Sequence, residues 1–252
     1  MSSLPPGWTE ERLQTITEDD LGQIPEEQIR QVDLDMIPFD NVRARTIISF
    51  AKLFEEQRFS RERKGMPPAP PKDIFKIADD AVVQVVEENG FDDFGFITFR
   101  TDYSDDERWD KWDAEYDRRT DLSIERSAGG QKIKDKCLMP RFEDPGLHSA
   151  THQQIQQSYY GYLETEGVAP GLDMGLCLLA DTAAVESMNS DLPWVYALDM
   201  NFDHSSEVEE GEYPGYFRVA VDSVIPELYP MLTAMPPVEL WARGDEIWQS
   251  AV

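Results

Sequence analysis

The sequence predicts an α+β fold: a mostly antiparallel or mixed sheet with helices packed on it, preceded by an N-terminal helical region. Three observations carry this. Residues 9–64 place apolar side chains at helical spacing and stop at GMPPAPP (65–71), which cannot continue a helix. Residues 94–112, FGFITFRTDYSDDERWDKW, pass from an apolar strand into a helix start. Three further strand candidates, 175–181, 194–202 and 216–221, then follow, whereas a doubly wound parallel fold would alternate strands and helices regularly. The expected organisation is a helical region with a Pro-rich connector over 1–72 and an α+β domain over 73–252.

In chain order, Thr9 followed by Glu-Glu reads as a helix start, and Pro25 stands where a first helical turn accepts proline. Residues 41–63 form the clearest helix of this region, with Val42, Ile47, Ile48, Ala51 and Phe54 broadly on one face. It ends in the mixed-charge run RFSRERK, read as a solvated helix end. Asp73 is placed to cap a helix over 73–88, which Asn89-Gly90 closes. Residues 94–99 are apolar on both alternating faces, as in an interior strand. Ser104 and Glu107 have capping-box spacing, and Asp105, Asp106 and Glu107 fill the first turn, where the helix dipole favours negative charge. Trp109, Trp112 and Tyr116 make the apolar stripe of that helix. Residues 137–142 read as an edge strand because of Pro140. A helix over 148–163 with Ile155, Tyr159 and Tyr162 inward follows, and the C-terminal segment docks through Leu240, Ile247 and Trp248.

Of 252 residues 40% are hydrophobic, with 6 Trp, 12 Phe and 9 Tyr, which supports a packed core and excludes the disordered class. Fifty Asp+Glu against 23 Lys+Arg give a formal charge of −27, a field that repels phosphate backbones and anionic membrane surfaces. Neither a nucleic-acid nor a membrane partner is expected. Two cysteines, Cys137 and Cys177, are too few for a disulfide scaffold, the first residues lack a signal-peptide pattern, and no apolar run reaches the ~18 residues of a membrane span. A cytoplasmic location is expected.

The segments GFITFRTDYSDDERWDKW (95–112) and GYFRVAVDSVIPELYPML (215–232) resemble a large group of filamentous-fungal proteins of unassigned function. In that group a strand ending in Arg-Thr precedes an acidic cap and a Trp-bearing helix. The resemblance spans residues 94–248 and implies a fungal origin and a place near secondary metabolism, with no activity or ligand to carry over.

Candidate chemistry is sparse. Asp106-Glu107-x-x-Asp110 resembles the acidic metal motif of terpene cyclases, and Asn201, Ser205 and Glu209 have the spacing of their second motif. The second set follows a strand instead of lying on a helix, so Asp106 and Asp110 are metal candidates by spacing alone and capping accounts for the cluster. His148 and His152 stand i, i+4 without a third ligand, and no nucleotide, dinucleotide or serine-hydrolase pattern occurs, so no cofactor is expected. Arg100, Arg141 and Arg218 each sit in an apolar strand candidate. They need partners, either structural carboxylates such as Asp199, Asp181 or Asp222, or an anionic small molecule. Two functions follow as expectations: an accessory protein that binds a protein partner or a small anionic metabolite, or an enzyme with an arginine-bearing pocket and Asp199 or Asp222 as acid or base.

Overall fold

The computed structural model describes residues 8–38, 41–68, 73–206, 208–241, 244 and 246–249. It groups the chain into two compact units, Met1–Asp80 and Ala81–Val252.

The first unit is helical: α1 (Glu10–Leu13), α2 (Glu18–Gly22), α3 (Glu26–Ile29), α4 (Val42–Arg63) and α5 (Ile74–Ile77). Thr9 caps α1, Thr17 and Asp20 form a capping box on α2, and Asn41 caps α4. Short helices of this length do not stand alone. They are held by a core in which Leu13, Ile16, Leu21, Ile29 and Val32 meet Ile47, Ile48 and Ala51 of α4. The connector GMPPAPP is exposed over residues 65–68, and its remainder lies outside the described residues.

The helix expected over 73–88 is two helices, α5 and α6 (Ala81–Asn89). Asp73 caps α5 as expected, accepting from Phe75 and Lys76 N–H. The interruption follows from Asp79, which is buried against Arg43, itself bonded to Glu18 at 3.0 Å and to the Phe75 carbonyl at 2.7 Å. Ile74 and Ala78 therefore belong to the first core and Val82, Val83 and Val86 to the second.

The second unit continues with β1 (Phe94–Gly95), β2 (Thr98–Arg100), α7 (Asp106–Arg126), β3 (Cys137–Leu138), β4 (Arg141–Phe142), α8 (His152–Glu166), β5 (Leu176–Ala180), α9 (Thr182–Ser187), β6 (Trp194–Asp199) and β7 (Tyr216–Ala220). A π-helical turn at Val224–Leu228, α10 (Tyr229–Leu232), α11 (Pro237–Leu240) and β8 (Ile247–Trp248) follow. The six-stranded sheet has the order β4-β2-β5-β6-β7-β8 and is mixed. Strand β2 runs parallel to β4 and β5, β5, β6 and β7 are antiparallel, and β8 returns parallel to β7.

Residues 94–99, expected as one strand, serve two sheets. Phe94 and Gly95 pair with Cys137 and Leu138, while Thr98 and Phe99 pair with Arg141 and Phe142. Gly95 makes the break: its φ is 139°, and a Cβ there would lie 2.0 Å from the Leu138 carbonyl oxygen, so only glycine fits. Strand β4 is an edge strand, as Pro140 led one to expect, and the Pro140 carbonyl accepts from Thr98 N–H at 2.8 Å.

Helices cover both faces of the sheet. Leu176, Leu178, Val195, Ala197, Phe217 and Val219 meet Trp109, Trp112 and Tyr116 of α7. On the reverse face Phe99, Cys177, Leu179 and Leu198 meet Ile155 and Tyr159 of α8. The alternation of strand side chains produces this division. Trp109, Trp112 and Tyr116 stack in turn, with centroids 4.7 and 4.9 Å apart, and each such contact adds about 0.5–1.5 kcal/mol beyond burial.

Candidate functional site

The three strand arginines do not converge. Arg100 and Arg141 lie on the α7 face of the sheet and Arg218 on the α8 face, because β7 presents Tyr216 and Arg218 on the side opposite Phe217 and Val219.

Arg100 is 5% exposed, and each of its nitrogens has an acceptor: the Asp102 carbonyl at 2.9 Å, Glu143 at 3.1 Å and Asp106 at 2.5 Å. Its guanidinium lies 4.3 Å from the Tyr103 ring and 4.8 Å from the Trp109 ring. Arg141 donates to Asp113 and Asp117, both at 2.5 Å, and to the Met139 carbonyl, over the Tyr116 ring at 4.9 Å. These arginines fasten α7 to the sheet. Their partners are none of the three aspartates expected from the sequence: Asp181 caps α9, Asp222 pairs with Arg119 at 3.1 Å, and Asp199 is bonded locally. The signal was available as the spacing Asp106, Asp113, Asp117, an acidic stripe along one side of α7.

The α7 start also differs from expectation. Asp105 caps it, accepting from Arg108 N–H at 3.0 Å, whereas Ser104 donates to Asp102 at 2.6 Å. Asp102 is 3% exposed and also pairs with Arg108. Burial works against its charge, but the bonds from Ser104 and Arg108 outweigh it and hold the carboxyl below its ordinary value. Asp106 is engaged by Arg100, and Asp110 is exposed on α7. Among the described residues no group of three or more His, Cys, Asp or Glu is placed to hold a metal ion.

Arg218 lies in a different setting. Its guanidinium is 4.5 Å from the Trp194 ring and 5.9 Å from the Tyr196 ring, and it lines an open cavity of about 460 Å³. Tyr196 and Tyr216, adjacent across β6 and β7 with centroids 5.6 Å apart, form one wall. Trp241 also lines it, as do β7 at Phe217, whose side chain belongs to the α7 face, and the exposed Glu209 and Glu212. The volume is within the range of small-molecule sites.

Beside Tyr216 lie residues that sequence reasoning did not bring together. α8 starts at His152, with Thr151 and Gln154 forming its capping box, so His148 is outside the helix and accepts from Tyr103 N–H at 3.2 Å. His152 instead faces Tyr216, with centroids 4.4 Å apart, and His204, at 5.6 Å. Burial, and then His204, push the His152 imidazole down to about 4. The His204 Nε2 is 2.8 Å from the Asp199 carbonyl oxygen. Asp199 is 8% exposed, and burial raises its carboxyl although the Asn201 N–H at 2.8 Å and the Tyr213 hydroxyl at 3.4 Å bond to it. The two cysteines do not join this corner as nucleophiles: burial pushes Cys137 up to about 12 and Cys177 up as well, so both remain thiols at neutral pH.

No protein-family model matches the chain, and no curated protein or solved structure is significantly similar to it. No helix among the described residues is long and apolar enough to cross a membrane.

Proposed function

We propose that the protein is an accessory binding protein for a small anionic metabolite, held in the cavity at β6 and β7 with Arg218 as its anchor. The observation that carries this is the pairing of a guanidinium with aromatic walls in a cavity of about 460 Å³. Arg218 supplies a planar fork for a carboxylate or phosphate, and Tyr196 and Tyr216 supply ring faces for the body of the ligand. The resemblance to filamentous-fungal proteins near secondary metabolism is the reason to look for that metabolite among pathway intermediates.

An enzyme reading has one point in its favour, the raised carboxyl of Asp199 near the cavity. Its oxygens are bonded to Asn201 and Tyr213, and Asp222 is paired with Arg119 of α7. Binding therefore accounts for the geometry better than acid–base catalysis does.

Thermal unfolding with a panel of small aromatic carboxylates and phosphates tests the proposal. At a hundredfold excess over its Kd, a ligand stabilises the wild type by about 2.7 kcal/mol. Arg218→Met is expected to abolish that gain. A panel with no effect, or an effect that survives Arg218→Met, contradicts the proposal.

A further inference from the structure

The hairpin of β6 and β7 has a connection far longer than its pairing needs. β6 ends at Asp199 and β7 begins at Tyr216, so residues 200–215 make a turn that roughly two to five residues ordinarily make. Connections of this length without helix or strand are uncommon in packed domains and commonly serve as lids or binding loops. This one has two parts. Its base is pinned: Asn201 N–H donates to the Asp199 carboxylate at 2.8 Å, Gln156 Nε2 of α8 donates to the Phe202 carbonyl at 2.8 Å, and the Tyr213 ring packs on those of Phe202 and Trp241, with centroids 5.6 and 5.7 Å away. Gly215 belongs to the base as well, since a Cβ there would lie 2.3 Å from the Phe202 ring. The tip is built differently. Residues 208–212 are exposed and are shaped by a turn of their own, in which Glu212 N–H donates to the Glu209 carbonyl at 3.1 Å. Gly211 takes a φ of 89° in that turn and stands in open space. Yet Val208, Glu209, Gly211, Glu212 and Pro214 all line the cavity.

From this placement we infer that residues 208–212 are a lid on the cavity, hinged on the base at Tyr213 and Pro214, which closes over a bound ligand and opens for its exit. The inference rests on the binding function proposed above and adds how the site is gated. An exposed turn held by its own backbone moves at little cost, whereas the pinned base keeps the cavity wall in register. Three carboxylates in the tip, Glu209, Glu210 and Glu212, oppose its collapse onto the Tyr196 and Tyr216 rings when no ligand is bound, because burying an unpaired charge is costly. Those carboxylates stay in water on closure. Contact with an anion then falls to the backbone at Gly211, where no side chain stands in the way.

Amide hydrogen exchange and stopped-flow binding on the full chain test this, with indole-3-propionate as probe or, in its place, the tightest binder of the carboxylate and phosphate panel. Saturation is expected to slow exchange at Glu210, Gly211 and Glu212 by about tenfold or more, with Asn201 in the base little changed. A variant with residues 208–212 replaced by Gly-Gly keeps Tyr213 and the base. It is expected to retain the wild-type unfolding midpoint and to raise the association and dissociation rates together, each by about tenfold or more, because a lid gates both directions. Lost contacts alone would raise only the dissociation rate, and that result overturns the lid. Unchanged rates overturn it too, as does exchange at residues 210–212 that stays fast while the Tyr196 and Tyr216 amides report binding. Should the shortened variant unfold more readily, the exchange result on the wild type decides alone. Each of these outcomes leaves the binding site in place, whereas a panel with no binder at all overturns the binding function and the lid with it.

Discussion

Asp102 and Arg100 are neighbours with different energetic standing, because their partners differ in exposure. Asp102 is nearly inaccessible, and its ionic partner is Arg108, whereas the acids that hold Arg100 are open to water: the Asp106 and Glu143 side chains are 81% and 46% exposed. Arg108→Met leaves a buried carboxylate without its counter-charge and should cost about 3–5 kcal/mol in chemical denaturation. Arg100→Met abandons only solvated acids and should cost about 1–2 kcal/mol, the scale of its lost hydrogen bonds and packing. Equal losses in the two variants would show that the burial difference does not govern this network. The histidines give a pH test. His152 is held neutral in the folded state, with a value of about 4, whereas the unfolded chain takes up its proton near 6.5. The unfolded state then binds more protons between those values, so the contribution of His152 to stability should be flat above pH 6.5, fall as pH is lowered toward 4, and flatten below. His152→Gln should remove that slope. An unchanged slope would place its origin in other groups. Asp102 acts in a lower window: its depressed carboxyl stabilises the fold above about 3.9, and that contribution is lost as pH falls through its folded value.

At the scale of elements, Gly95 decides whether β1 and β2 can serve separate sheets. Its positive φ and the 2.0 Å approach to the Leu138 carbonyl predict that Gly95→Ala disrupts the β1–β3 pairing, with protection of nearby amides from hydrogen exchange lost first. A variant with native exchange at Leu138 would refute the steric argument. The same residue shows where sequence was legible and where it was not. The apolar run 94–99 was recognisable as buried strand, because both of its faces are covered, but a two-residue change of sheet leaves no period to read. The Trp109–Trp112–Tyr116 stripe was legible because a buried helix face must repeat. The α7 cap shifted from Ser104 to Asp105 because both residues can cap, and only the buried Asp102 determines which one is free to do so. Strand β8 was not legible: two residues paired to Arg218 and Val219 owe their conformation to the partner strand. Of the site, the sequence showed Arg218 and Asp199 as unusual charges in apolar strands. It could not show that Tyr196 stands opposite Arg218, since that depends on the β6–β7 register.

Across the whole molecule, negative charge dominates. Arg43, Arg100, Arg108 and Arg141 each bind carboxylates that hold an element in place. Arg218 lies against the Trp194 and Tyr196 rings beside a cavity, which is why the proposed ligand binding is placed there. The most direct measurement is a two-dimensional amide NMR titration of the full chain with indole-3-propionate and L-tryptophan. Saturable shifts should centre on Tyr196, Tyr216, Phe217, Arg218 and Trp241 and vanish in Arg218→Met. Shifts centred on Arg100, Asp106 and Trp109, or no saturable shifts with either compound, would contradict a ligand site at β6 and β7.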